Sequence, residues 1–267
     1  MKDIKYLRDN GVDVNQSLEL LGDLDTYNEM IKDFKASLKE KKAQIEKYFN
    51  DKDMPNYAVY VHSLKSDCKY FGFLKLAELA YEHELKSKDN DYEFVKENYE
   101  SLMEETKKVQ GIVDNYLGNA EETNDTYGGH GEPEVLGPSK PNDIILVADD
   151  SEVIRIFVKK IFDMDFELAF AADGEEALKI IQEHEVDNRI KAILLDLNMP
   201  RKDGFAVLDY MKENNLLSKM PVTIISGDSS SEAINKAFTY NIVDMLNKPF
   251  NESKVKDAVE KTINSAK

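Results

Sequence analysis

Five residues stand where they can act together. Asp149 and Asp150 follow the apolar run IILVA, Asp196 ends AILLD, Ser226 ends VTIIS, and Lys248-Pro249 follows VDMLN. Crowded carboxylates repel unless a cation neutralises them, and a hard divalent ion with oxygen ligands, physiologically Mg²⁺, suits such a set. With the metal in place, one carboxylate can attack a phosphoryl group. The metal, the hydroxyl and the lysine then hold the transferred oxygens through a loose, in-line transition state. Any one of these aspartates alone reads equally well as a turn or helix-cap residue. All five positions at strand ends together do not.

A second candidate is His62, in the stretch YVHSLKSDCKYFG. At helical spacing, Ala58, Val61, Leu64, Cys68 and Phe71 share a buried face, while His62, Lys65, Ser66 and Lys69 share another. The spacing predicts an exposed histidine beside two lysines and a small residue that admits a partner. Such a face is also what any solvated helix presents. Its positive charge would attract an acidic site like the one above.

These residues need two kinds of scaffold. Apolar residues recur at spacings of three, four and seven from Tyr27 to Phe49 and from Tyr92 to Tyr116, with further helices expected at about 55–70 and 73–87, broken at Gly72. Four amphipathic helices with short connections make an antiparallel bundle. Residues 1–23 read as an additional helix or arm that can dock through Leu18, Leu20 and Leu21. Residues 118–141, rich in Gly, Pro, Glu and Asn, read as a flexible linker, and His130 lies within it. From 142 onward short apolar strands alternate with helices, a five-stranded, doubly wound parallel α/β domain. In such a sheet, function gathers at the carboxyl ends of the strands. The expected division is 1–117 bundle, 118–141 linker and 142–267 α/β domain.

Residues 142–267 resemble a response-regulator receiver domain through ILVADDSEVIR, AADGEEAL, ILLDLNMPRKDGF, VTIISG and NKPF. The resemblance implies a flavodoxin-like fold with Asp196 as phospho-acceptor. It also implies that Asp150 and Asp196 bind Mg²⁺ directly, Asp149 supports the metal, and the backbone carbonyl of Asn198 completes the ligands. Ser226 and Lys248 would contact phosphoryl oxygens, with a cis Lys248-Pro249 bond. Two features depart from the family pattern: Met245 stands where an aromatic is common, and Asn241 and Ile242 stand where small residues are often found. The bundle, through H-S-L-K-S followed by Gly72, resembles a histidine-containing phosphotransfer (HPt) domain. That implies that His62 carries the phosphoryl group and Lys65 helps neutralise it. His83 and His184 lack such neighbours. Together the two resemblances imply a phosphorelay protein of a two-component pathway. Its partners would be a histidine kinase or other receiver domains, with contact between its own two domains among the options.

Bulk properties narrow the field. Net charge is −17, spread as −6, −4 and −7 over the three segments, which argues against nucleic acid as a partner. No apolar run approaches the length of a membrane span, and a single cysteine, Cys68, reads as a small core residue in a protein of the reducing cytoplasm. No P-loop or glycine-rich ATP lid is found, so the chain is expected to pass phosphoryl groups rather than take them from ATP, and to be no kinase. Two other readings stay open. One is a non-catalytic interaction scaffold. The other is an unrelated phosphatase with Asp196 as nucleophile, although Asn198 removes the proton donor expected two positions on.

Overall fold

The computed structural model describes residues 1–118, 143–227 and 231–265. The linker expectation and His130 lie outside them. Six helices come first: α1 (Lys5–Asp9), α2 (Val14–Leu21), α3 (Leu24–Asn50), α4 (Met54–Tyr70), α5 (Leu74–Lys88) and α6 (Tyr92–Leu117). Helices α3 to α6 are the predicted four. Aspartates 13, 23, 53 and 91 start α2, α3, α4 and α6, each carboxylate accepting from a backbone N–H three residues on. The extra N-terminal element is two short helices, and Leu21 is buried while Leu18 and Leu20 pack partly against the core.

Gly72 explains the break between α4 and α5. Its φ is +75°, and a Cβ there would lie 2.4 Å from the carbonyl oxygen of Asp13. Its own carbonyl accepts from Asp13 N–H at 3.0 Å, so this turn docks the N-terminal helices. Gly72→Ala combines left-handed strain with a backbone clash, and we expect it to cost at least about 2 kcal/mol in urea unfolding. An unchanged midpoint would mean that the turn re-forms without the contact.

The second half alternates β1 (Ile144–Ala148), α7 (Glu152–Phe162), β2 (Glu167–Ala171), α8 (Gly174–Glu183), β3 (Ile190–Asp196), α9 (Gly204–Glu213), β4 (Val222–Ser226), α10 (Ser231–Phe238), β5 (Asp244–Asn247) and α11 (Glu252–Ser265). The strands are all parallel in the order β2-β1-β3-β4-β5. Strands β1 and β4 are buried along their whole length, as a sheet covered on both faces requires. The sequence placed β2 one residue early and began β3 two residues late. Among the described residues no helix is long and apolar enough to cross a membrane.

The halves touch. Tyr70 of α4 packs its ring against Phe157 of α7 and against Phe250, which follows β5, at centroid distances of 6.2 and 5.9 Å. One buried apolar cluster therefore runs from the bundle into the sheet's α7 face.

Candidate functional site

Strands β1 and β3 are neighbours and both end at the same edge, which delivers Asp149, Asp150 and Asp196 together. Each offers a carboxylate oxygen, and these atoms lie within 4.8 Å of one another. Asp149 and Asp196 are fully buried. The loop after β5 brings Lys248 over them, with Nζ 2.7 Å from Asp149 Oδ2 and 2.6 Å from Asp196 Oδ2. Ser226 is buried at the end of β4, and its carbonyl accepts from Lys248 N–H at 2.8 Å. The Lys248-Pro249 bond is cis.

Electrostatics describes what this edge lacks. Burial pushes the Asp149 carboxyl up to about 7; Lys248 opposes the shift, and Asp196 and Asp150 add to it. Asp150 is raised by burial and by Asp196. Burial works against the Lys248 ammonium, but the carboxylates of Asp149, Asp196 and Asp150 outweigh it and hold Lys248 above its ordinary value. Three carboxylates against one ammonium leave two negative charges, all on hard oxygen donors. That donor set fits a divalent cation such as Mg²⁺. Asp150 opens onto a cleft of about 720 Å³ between the halves, lined also by Lys41, Tyr60, Arg155 and Arg201.

Glycines let the surrounding loops close in. A Cβ at Gly204 would fall 2.2 Å from the carbonyl oxygen of Asp196, and one at Gly174 would fall 2.4 Å from that of Lys202. The D-G pairs in AADGEEAL and ILLDLNMPRKDGF thus combine a capping carboxylate, Asp173 or Asp203, with a glycine that admits backbone.

His62 departs from its sequence reading. It is 1% exposed, not solvated. The sheet half covers it: a Cβ at Gly227, next to Ser226, would lie 3.4 Å from His62 Cε1 and Nε2. Asn198, from the loop after Asp196, lines a cavity of about 330 Å³ with His62. His62, Ser66 and Tyr70, at spacings of four, all meet the sheet half. Lys65 turns to Glu84, its Nζ donating to Oε2 at 2.5 Å.

Glu84 was not singled out from the sequence. Its Oε1 lies 2.6 Å from His62 Nδ1, and Lys88 Nζ lies 2.7 Å from the same oxygen. A carboxylate only accepts, so Nδ1 donates its proton to Glu84 and Nε2 is the ring nitrogen turned away from it. Among the described residues Nε2 is buried with no hydrogen-bond partner. Burial pushes the Glu84 carboxyl up, but the hydrogen bond and charge of His62 with the charges of Lys65 and Lys88 outweigh it and hold it well below its ordinary value of 4.5. A depressed carboxylate stabilises the fold fully above its ordinary value, and that contribution is lost as pH falls below it. Glu84→Gln should therefore cost about 3–5 kcal/mol at pH 7 by leaving Lys65 buried and unpaired. In urea melts the deficit should narrow as pH drops below 4.5; a deficit independent of pH would place the stabilisation elsewhere.

The remaining histidines differ. His83 is buried, bonded to Tyr57 OH at 2.8 Å, and pushed by burial down to about 4. His184 pairs with Asp187 near the surface. Cys68 is buried, and burial raises its thiol well above the ordinary range, as a core residue's should be.

Comparison with known proteins matches both halves. The response regulator receiver domain family matches residues 145–260, and the Hpt domain family matches 29–110. Response regulator Rcp1 of Synechocystis sp. is 31% identical over 119 residues, 42% of this chain and 81% of that protein. Response regulator RR06 of Streptococcus pneumoniae is 36% identical over 107 residues, 40% of this chain and 46% of that protein. Among solved structures, the receiver domain of the Francisella response regulator 1452 is 30% identical, covering 47% of this chain and 99% of that chain with a TM-score of 0.41. The chain belongs to the response regulator receiver family and, with an Hpt domain ahead of that receiver, is a His–Asp phosphorelay protein.

Proposed function

We propose that His62 and Asp196 are the two phosphoryl carriers of this protein, on a bundle of residues 1–117 and a receiver of residues 142–267 joined by a linker at 118–141. The carrying observation is that His62 Nε2, free of any partner among the described residues, faces Gly227 beside Ser226, at the edge where Asp149, Asp150, Asp196 and Lys248 converge. In transfer from His62, the N–P bond breaks and its electron pair returns to Nε2, while an Asp196 carboxylate oxygen forms the new bond to phosphorus. Glu84 holds the Nδ1 proton throughout, so the ring leaves neutral and no proton needs to move. Lys248 and Ser226 bind the equatorial oxygens of the group in flight. Asp149, Asp150, Asp196 and the Asn198 carbonyl would hold Mg²⁺, which when bound would supply charge neutralisation for the phosphoryl oxygens. Lys65 acts by holding Glu84 rather than by reaching the phosphoryl group.

The outside partners are a histidine kinase or other receivers of the pathway, in the cytoplasm where Mg²⁺ and phosphorylated donors meet. The cleft at Asp150 gives small ions and donors a route to the acidic set. The receiver runs its own phosphorylation and dephosphorylation, and the chain takes nothing from ATP directly. The test supplies the full chain with a phosphorylated donor domain and types the label by stability, since phosphohistidine is acid-labile and acyl phosphate alkali-labile. His62→Gln should retain only the alkali-labile label and Asp196→Asn only the acid-labile one. Two single variants that each keep both kinds of label would end this reading.

A further inference from the structure

Away from the reacting groups, the halves are joined by contacts that the phosphoryl chemistry does not use. Asp67 on α4 is 1% exposed. Its Oδ1 accepts from Ser151 Oγ, at the start of α7, at 2.6 Å. Its Oδ2 accepts from Ser37 Oγ at 3.0 Å and pairs with Lys41, both on α3. Ser151 in turn donates its backbone N–H to Asp149 Oδ1 at 2.9 Å. One turn along α4, the Tyr70 hydroxyl accepts from Phe250 N–H at 3.0 Å, two residues beyond Lys248. At the rim, Lys160 of α7 pairs with Glu29 of α3.

Buried polar groups cost free energy unless they are bonded, and here the Ser151 hydroxyl proton and the Phe250 N–H are accepted by groups in the other half. A bundle parted from its receiver would leave the Phe250 N–H without Tyr70, Ser151 Oγ without Asp67, and the Tyr70 ring in water. Asp67 and Tyr70 both lie beyond His62 toward the end of α4, so neither contact includes His62. We propose that Asp67–Ser151 and Tyr70–Phe250 form a latch that makes the chain's own receiver the resting partner of His62. An outside kinase or receiver then reaches His62 only when the latch opens. This inference rests on the reading of His62 as a carrier for its meaning. Its test reads only the accessibility of the ring.

Diethyl pyrocarbonate acylates the free nitrogen of an exposed neutral imidazole, and peptide mass spectrometry follows His62 and His184 separately in the full chain. We expect His62 to react at least ten-fold more slowly in the wild type than in the double variant Tyr70→Phe/Lys160→Glu. The first change removes only a hydroxyl and the second alters a partly exposed side chain, so both leave the cores intact. His184 should react equally in the two proteins. Adding Glu29→Lys should restore part of the protection by re-pairing residue 160. Equal rates at His62 in wild type and double variant overturn the latch. So does protection that disappears on ten-fold dilution, because the docking would then be between chains. Protection that persists while His62 takes no phosphoryl label would remove the carrier assignment and leave the latch standing.

Discussion

Replacing Asp196 by asparagine is expected to abolish labelling of the receiver by acetyl phosphate and Mg²⁺, a loss on the order of 10³-fold or more in rate. The amide presents no nucleophilic oxygen, and it deletes one of the three carboxylates whose oxygens converge at the edge. Half of Lys248's grip goes with it, since Nζ divides itself between Asp149 and Asp196. The fold should persist, because asparagine keeps the size of the side chain, and the close approach to Gly204 is made by the residue's backbone carbonyl, which the substitution leaves in place. Intact mass spectrometry after a timed reaction reads the result directly. Chelation of Mg²⁺ should silence the wild type to a similar degree. A labelled Asp196→Asn chain would move the acceptor to another carboxylate.

Lys248→Ala is expected to slow phosphoryl transfer about 10²–10³-fold, the effect of deleting one preorganised cation from the place where charge develops. It also leaves Asp149 and Asp196 buried with no opposing charge, which costs about 3–5 kcal/mol when one partner of a buried set is removed. Mg²⁺ fits the same carboxylates, so it should recover more stability in Lys248→Ala than in the wild type. Transfer should stay slow in the variant even at saturating metal. Paired measurements of melting temperature and labelling rate across a Mg²⁺ titration separate these effects. Full recovery of rate by metal would show that the lysine only neutralises and does not hold the transferred oxygens.

The receiver edge was legible because a parallel sheet converts sequence into geometry. A carboxylate at the end of an apolar run is carried to one rim whatever the loops do, so Asp149, Asp150, Asp196, Ser226 and Lys248 could be grouped before any coordinate was known. The bundle was legible in its stripes: Ala58, Val61, Leu64, Cys68 and Phe71 are all buried as the periodicity required. Periodicity says that a face is not core of its own bundle. It is silent on what else covers that face, which is why His62 was expected in solvent.

Glu84 escaped for a related reason. It reaches His62 across the packing of α4 against α5, 22 residues away, and in a helix that also carries Glu78 and Glu82 nothing in its neighbourhood sets it apart from them. The HPt resemblance implied that Lys65 helps neutralise the phosphoryl group; the pairing of its Nζ with Glu84 Oε2 at 2.5 Å is a contact that the resemblance did not point to. Asp67, Tyr70 and Ser151 have partners in another domain altogether, beyond the reach of any local pattern.

The burial of His62 under Gly227 has a kinetic consequence. Phosphohistidine and acyl phosphate both decay by attack of water, and a carrier sealed inside a seam meets water only when the seam breathes. The lifetime of a phosphoryl group stored on His62 would then follow how often the two halves part rather than the intrinsic lability of the N–P linkage. Substitutions along the seam, far from any reacting atom, would act as the timer of the pathway.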